Sequence, residues 1–164
     1  MISDKRAGCV IGSRLSEGDL ERIRDHYFDL TPDDRLNRFG GFISDGGLDK
    51  YVGSIAFNQK LVLGRERIET GKLVGLVELW FDNPQYPVVA EIAVSVESGW
   101  RRQGLGVQLV ADAAHIAFAR GATQVELHFE PNNRAIKSIV RKLGAKRGVF
   151  EGKAVLAAPI PIAA

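Results

Sequence analysis

The chain has 164 residues, 45% of them apolar, which predicts one globular domain spanning residues 1–164. Its formal net charge of +2 is too small to indicate nucleic-acid or membrane binding, since both need clustered positive charge. The single cysteine, Cys9, excludes an intramolecular disulfide framework, and no apolar stretch of signal-peptide length follows the first residues. We therefore expect a cytoplasmic protein in which any bound anion lies at a local site.

Helices are predicted in the first third of the chain. Ser16 and Asp19 have the spacing of a capping box, and apolar residues recur after them at helical intervals. A second helix is predicted after Thr31, which can cap it, because a proline follows at the first helical position. A third, short helix is predicted at residues 48–57.

After residue 59 the hydrophobic period changes to two, which indicates strands. Residues 60–81 are predicted to form a hairpin that turns at Thr70 and Gly71. Residues 88–96 form a strand with two distinct faces, on which Glu91 is the only ionisable residue. The remaining predicted elements are a mostly buried helix at 107–120, a strand at 122–129, a helix at 132–144 and a terminal hairpin at 146–158.

The loop "SGWRRQGLG" lies between the strand at 88–96 and the buried helix. Backbone N–H groups at a helix start, next to Arg101 and Arg102, can bind a phosphate or pyrophosphate. The dinucleotide-binding motif needs a third glycine after Gly104 and Gly106, and the loop does not contain it. No Gly-Lys-Ser/Thr follows as in a P-loop, so both nucleotide-binding motifs are disfavoured. From these residues alone, a plain strand-to-helix turn with solvated basic side chains remains an equal alternative.

The segment "AVSVESGWRRQGLG" resembles the acetyl-CoA signature of the GNAT N-acetyltransferase superfamily, Gln/Arg-x-x-Gly-x-Gly/Ala, carried here by Arg101, Gly104 and Gly106. The order of the predicted elements is similar to that family over nearly the whole chain. The segments "NNRAIKSIVRKLGA" and "LTPDDRLNRFGG" resemble the bacterial protein-lysine acetyltransferase branch. The resemblance implies an α/β (α+β) GNAT fold, with a central, mixed, mostly antiparallel sheet that is splayed at the cofactor site and flanked by helices.

The resemblance also implies which residues bind acetyl-CoA, the acyl donor. Backbone groups at the end of the fourth strand would bond the pantetheine arm as an added strand does, and the loop would wrap the pyrophosphate. An asparagine at the start of the last helix would contact the pantetheine arm. The implied cofactor-binding residues are Val94, Val96, Arg101, Arg102, Gln103, Gly104, Leu105, Gly106, Val107 and Asn133. No metal site is expected, since His26 and Cys9 have no clustered partners.

Catalysis needs a group that accepts the proton of an amine nucleophile, because alkylamines are protonated at neutral pH. Related acetyltransferases use a glutamate at the position of Glu91 as general base, often through a water. The alternative is a glutamate that pairs with an arginine inside the sheet edge. The backbone N–H of Val94 would polarise the acyl carbonyl. The tyrosine that protonates the thiolate in many members is absent, since its position falls on Ile139 or Val140.

The expected function is transfer of an acetyl group from acetyl-CoA to a primary amine by direct attack in a ternary complex. The acceptor is either a protein lysine or a small molecule, and the resemblance to the protein-lysine acetyltransferase branch slightly favours a protein lysine. The alternative is a non-catalytic sensor or regulatory module that binds CoA or acyl-CoA. His128 could contact the substrate, and two copies of the chain could associate as a homodimer.

Overall fold

The computed structural model describes residues 10–145 and 152–157. The strands are β1 (Val10–Arg14), β2 (Lys60–Arg67), β3 (Leu73–Phe81), β4 (Val89–Val96), β5 (Gln124–His128) and β6 (Lys153–Ala157). The helices are α1 (Leu20–Asp29), α2 (Pro32–Phe39), α3 (Asp45–Gly53), α4 (Leu105–Ala119) and α5 (Arg134–Lys142). Among the described helices, none is long and apolar enough to cross a membrane.

The strands form one open sheet in chain order, from β1 at one edge to β6 at the other. Neighbouring strands are antiparallel except β4 and β5, which run parallel and are connected through α4. A parallel pair needs such a crossover connection, since a tight hairpin can only join antiparallel strands. The expected mixed, mostly antiparallel sheet is confirmed.

The sheet opens between its two parallel strands. The pairing of β4 with β5 runs from Val89 opposite Gln124 to Ile92 opposite Leu127. Beyond Ile92, residues 93–96 stay paired with β3 on one side only, as far as the described strands show. The predicted splay is therefore present, and it leaves an open strand edge at the carboxyl end of β4.

Apolar side chains cover both faces of the sheet. On one face α4 and α5 pack against β3 and β4, with Leu109, Val110 and Val140 fully buried. On the other face α1 and α3 pack against β2 and β3 around Ile23 and Leu48. Burying apolar area on both faces stabilises the sheet, and it fixes the direction in which each β4 side chain points.

The predicted bounds of α3, residues 48–57, were wrong at both ends, because α3 runs from Asp45 to Gly53. Ser44 Oγ accepts a hydrogen bond from the backbone N–H of Gly47 at 3.1 Å, so Ser44 caps the helix and α3 starts at Asp45 rather than residue 48. At α2 the expected cap is confirmed, because Thr31 Oγ1 accepts from the Asp34 N–H at 3.2 Å. The capping box at the start of the first helix is also present.

The first third is not purely helical, because β1 pairs antiparallel with β2 from Val10 opposite Arg67 to Arg14 opposite Leu63. The β1 side chains are exposed or half-buried, so "VIGSR" lacks the apolar alternation that identifies a strand. At the other end of the chain, β6 lies within the predicted terminal hairpin and pairs antiparallel with β5. The first arm of that hairpin, predicted from residue 146, lies outside the described residues.

Candidate functional site

A cavity of about 580 Å³ lies where β4 separates from β5. Its walls come from α2, from residues 92–96 of β4, from the loop at 100–107, from the end of β5 and from α5. Of the residues that the resemblance assigns to acetyl-CoA, all except Gln103 line this cavity. The structure thus brings the open strand edge and the glycine loop to one place.

The loop conformation leaves backbone N–H groups free to bind an anion. Gly104 has φ 81°, a left-handed conformation that favours glycine, and α4 starts directly after it. The first N–H to bond back within this turn is that of Gln108, which donates to the Gly104 carbonyl at 3.0 Å. The N–H groups of the preceding residues of α4 are therefore available to an anion at the positive end of the helix dipole.

The second glycine of the loop has a packing role. A Cβ atom at Gly106 would lie 2.7 Å from Ile139 Cδ1 and 3.8 Å from Val96 Cγ2. Glycine at this position therefore lets α5 pass close to the first turn of α4. Both glycines line the cavity, and in addition Gly104 has a backbone conformation that favours glycine and Gly106 allows close helix packing. Their role in binding the cofactor stays a prediction.

The charges on the cavity wall fit a polyanion. Arg101, Arg102, Arg134 and Lys142 line it, and among the described lining residues Asp34 is the only carboxylate. Guanidinium and ammonium groups around free N–H groups are the donors that a pyrophosphate requires. In the described part of the chain, no group of three or more His, Cys, Asp and Glu residues could hold a metal ion.

Arg101 makes two contacts with other residues that line the cavity. Its Nε donates to the Val96 carbonyl at 3.2 Å, and its Nη2 lies 2.5 Å from Asp34 Oδ1 on α2. The other carboxylate oxygen, Asp34 Oδ2, is buried and has no hydrogen-bond partner among the described groups. Sequence reasoning missed Asp34 as a site residue, because Asp34 lies far from Arg101 in the sequence.

Asn133 caps α5 and faces the cavity. Its Oδ1 accepts a hydrogen bond from the Ile136 N–H at 3.1 Å, so the amide nitrogen is the part of the side chain that can reach a ligand. The positions at which many relatives carry a tyrosine hold aliphatic side chains. Ile139 lines the cavity, and Val140 is fully buried in the core.

Glu91 lies next to the cavity wall, which begins at the following residue of β4. It is half-buried and sits opposite Trp80 on β3 and Glu126 on β5. Strand alternation places its side chain on the face that packs against α1 to α3, together with Ser95. Its role as general base stays a prediction.

A buried ionic network that sequence reasoning missed lies on the same face. Glu78 is fully buried on β3, and its carboxylate accepts hydrogen bonds from Tyr27, Arg38, Tyr51 and Lys60. Burial acts to raise the pKa of Glu78, but the charges of Arg38 and Lys60 outweigh it and hold that pKa below its ordinary value. The signal in the sequence was one charged residue inside the apolar strand "LVGLVELWF".

His26 is a second buried polar residue on this face. Its Nε2 lies 2.8 Å from Ser95 Oγ, and Ser95 lines the cavity. Burial lowers the pKa of His26 to about 4, so the ring is neutral at neutral pH. Together with the Glu78 network, this contact fixes α1 and α2 against the strand that forms the cavity wall.

A model of the acetyltransferase (GNAT) family matches residues 20–145, and no curated protein sequence matches the chain. Several solved structures share the fold. The GNAT domain of S. lividans PAT has a TM-score of 0.72 and 18% identity, over 92% of this chain and 90% of that one. Spermidine N-acetyltransferase from Vibrio cholerae, solved with CoA and spermine, has a TM-score of 0.65 and 20% identity, over 86% and 83%.

A cAMP-binding acyltransferase from Mycobacterium smegmatis has a TM-score of 0.62 and 18% identity over 94% of this chain. The match covers 46% of that protein, so this chain spans about half of its length. At these identities the structural likeness shows a shared fold. The family match covers more than half of the chain and includes β4, the glycine loop and α5. The chain therefore belongs to the acetyltransferase (GNAT) family and is an acetyl-CoA-dependent acyltransferase.

Proposed function

We propose that the chain transfers an acetyl group from acetyl-CoA to a primary amine, by direct attack in a ternary complex formed in the cavity. The observation that carries this proposal is the open edge of β4 at residues 93–96, which faces the cavity beside the glycine loop. An open strand edge can bond an extended ligand through its backbone, as in β-augmentation. The pantetheine arm has the amide groups for that pairing.

Each part of the cavity wall then has a role in holding acetyl-CoA. Val94 and Val96 bond the pantetheine arm through their backbone groups, and the Asn133 amide contacts the same arm. The pyrophosphate is held by the loop, with its N–H groups and cationic side chains. The loop residues in this role are Arg101, Arg102, Gln103, Gly104, Leu105, Gly106 and Val107. Gln103 does not line the cavity, so its place in this set rests on the resemblance alone.

The reaction requires one proton acceptor and one polarising donor. The bound ammonium first loses one proton through Glu91 to solvent, which frees the lone pair of the amine nitrogen. This nitrogen then attacks the carbonyl carbon of the thioester while its second proton passes to Glu91, directly or through one water. The Val94 N–H stabilises the negative charge that develops on the carbonyl oxygen. The C–N bond forms, the C–S bond breaks, and CoA leaves as a thiolate that takes a proton from solvent. A thiol has a pKa of about 8.5, so this departure is feasible with Ile139 and Val140 at the tyrosine positions.

The acceptor class is either a protein lysine or a small-molecule amine. The segments resembling the bacterial protein-lysine acetyltransferase branch favour protein lysine, and S. lividans PAT is among the solved structures with this fold. The Vibrio cholerae relative is named for spermidine, a small polyamine. We further propose that residues 1–164 form a single domain that acts in the cytoplasm, as a monomer or a homodimer.

The test is Glu91→Gln, with Glu126→Gln as matched control. Glu126 lies opposite Glu91 on the same face and is held by Lys153 at 2.7 Å. Release of free CoA thiol is measured with acetyl-CoA and a library of lysine peptides and small amines. We expect Glu91→Gln to lower kcat by about a hundredfold or more and Glu126→Gln to change it little.

Binding of acetyl-CoA, measured by calorimetry, should be the same in both variants and in the wild-type protein. Equal turnover in Glu91→Gln and wild type would remove Glu91 from the mechanism. Tight binding of acetyl-CoA without acetylation of any amine in the library would favour the sensor alternative.

A further inference from the structure

Asp34 is in an unusual position for a carboxylate. It lies in the first turn of α2, its side chain is 11% exposed, and it lines the cavity among cationic side chains. One oxygen is paired with Arg101, and the other, Oδ2, is buried without a hydrogen-bond partner among the described groups. A buried carboxylate oxygen without a partner is costly, which indicates a group whose second contact comes from a ligand.

The cation that neutralises Asp34 also covers a group that the proposed reaction needs. Arg101 Nε donates to the carbonyl of Val96, one of the two residues that would pair with the pantetheine arm. A ligand that bonds this carbonyl competes with Arg101 for it. The pyrophosphate at the adjacent loop carries more negative charge than one carboxylate and is a strong partner for a guanidinium. Binding of acetyl-CoA would therefore draw Arg101 away from Asp34.

Once Arg101 has moved, Asp34 is a largely buried negative charge without its counter-ion. Such a charge strongly favours a new cation within hydrogen-bond distance. The other charged groups that line the described cavity wall are basic, but they have other partners. Arg38 is held by Glu78 at 2.7 Å, and in the proposed complex the cations around the glycine loop bind the pyrophosphate, so none of them is free to replace Arg101. An alkylamine acceptor, which is protonated in neutral solution, supplies the missing cation.

We propose that Asp34 is the carboxylate that binds the cationic acceptor, and that Arg101 covers it until acetyl-CoA is bound. This inference rests on the proposed function and names the acceptor class, amines that carry a positive charge on arrival. Asp34 is a binding residue here, and both protons that the attacking nitrogen loses still pass through Glu91.

The first test needs no knowledge of the natural acceptor. Carboxylates are labelled with a water-soluble carbodiimide and glycinamide, and the peptide carrying residues 33 and 34 is read by mass spectrometry. Asp33 is exposed, so it is the internal control. We expect saturating CoA to raise labelling of Asp34 several-fold while labelling of Asp33 stays constant. Adding 1,4-diaminobutane to the CoA-loaded protein should protect Asp34 again.

Two variants sharpen this test. Arg101→Gln removes the covering charge, so labelling of Asp34 should be high without CoA. In kinetic assays with a lysine peptide and with 1,4-diaminobutane, Asp34→Asn should raise KM for the amine by about tenfold or more, with little change in kcat. The matched control, Asp33→Asn, should leave both KM for the amine and the affinity for CoA unchanged.

Each result supports or overturns the inference separately from the acetyl-transfer reaction. Equal labelling of Asp34 with and without CoA would overturn the covering role of Arg101. A fall in kcat of Asp34→Asn at constant KM would make Asp34 part of the chemistry and overturn its binding role. Failure of the proposed function appears instead as no release of CoA thiol by the wild-type protein with any amine.

Discussion

Replacing Glu78 by glutamine removes one negative charge from a buried carboxylate that accepts hydrogen bonds from four side chains. The carboxylate is fully buried, and its Oε1 accepts from Tyr27 Oη at 2.5 Å, Arg38 Nη2 at 2.7 Å and Tyr51 Oη at 2.8 Å. Its Oε2 accepts from Lys60 Nζ at 3.0 Å. Glutamine has the same shape, so the substitution changes charge and hydrogen bonding without creating a cavity.

The expected loss of unfolding free energy in Glu78→Gln depends on Arg38, the buried cation that remains. The Arg38 side chain is 7% exposed, and a guanidinium cannot lose its proton in a protein, so its charge stays buried without compensation. Breaking a buried ion pair on one side costs about 3–5 kcal/mol. The glutamine oxygen can still accept from Tyr27 and Arg38, while its NH₂ group faces the Lys60 ammonium. We therefore expect the lower end, about 3 kcal/mol of unfolding free energy.

The assay is urea unfolding followed by circular dichroism. With a slope of about 2 kcal/mol per M, the midpoint of Glu78→Gln should fall by about 1.5 M at unchanged slope. Glu69→Gln is the control, because Glu69 is 67% exposed and its pair with Arg67 is a surface pair. That variant should stay within about 0.5 kcal/mol of wild type. If both variants unfold at the wild-type midpoint, the ionic network does not stabilise the fold.

The pH dependence of the unfolding free energy gives an independent check that the ionised form of Glu78 stabilises the fold. Because the folded protein holds the pKa of Glu78 below its ordinary value of 4.5, the unfolded chain takes up this proton first as the pH falls. The stability that Glu78 supplies is fully present above that ordinary value and is lost as the pH falls through the lowered one. The difference between wild type and Glu78→Gln should therefore be constant between about pH 5.5 and 8 and shrink in acid.

Two further predictions concern His26 and Gly106. His26 is neutral in the fold down to a pKa of about 4 but titrates near 6.5 when unfolded, so wild-type stability should fall by up to about 3 kcal/mol as the pH drops through that interval. In His26→Gln this part of the pH dependence should vanish, and urea midpoints at neutral pH and about pH 4.5 measure it. If the stability of His26→Gln falls with pH as steeply as that of wild type, His26 is not the group that titrates. In Gly106→Ala the new Cβ meets the flexible end of Ile139, so stability should change by less than about 1 kcal/mol while affinity for CoA falls. Calorimetry with CoA checks the second part, and full affinity would show that the backbone at Gly106 does not approach the ligand.

The sequence was most informative where neighbouring residues determine structure. The strand containing Glu91, the loop with Gly104 and the helix after it are contiguous, and their periodicity and turn residues predicted them correctly. The edge strand β1 gave no such signal, because its exposed side chains need no alternation. Local pattern thus identifies elements with one buried face and misses elements that are stabilised mainly by backbone pairing.

The contacts of the site could not be predicted in the same way. Asp34 and Arg101 are far apart in the sequence, and so are Arg38 and Glu78. No periodicity connects such residues, because their proximity depends on how α2 packs across the sheet. Glu78 could be recognised as unusual inside an apolar strand, but its partners come from separate elements and only the fold brings them together.

The ionic network and the proposed acceptor site are linked through α2. Arg38 lies four residues after Asp34, so the two side chains share one face of that helix, and both line the cavity. Glu78 holds Arg38 and thereby fixes the distance of Asp34 from the strand edge at Val96. Glu78→Gln should consequently raise KM for a cationic acceptor even where the protein is fully folded. Affinity for CoA should be retained, since the glycine loop is supported by α4 and α5 on the opposite face of the sheet. Equal losses in both affinities would mean that Glu78 supports the whole fold and has no specific effect on the acceptor side.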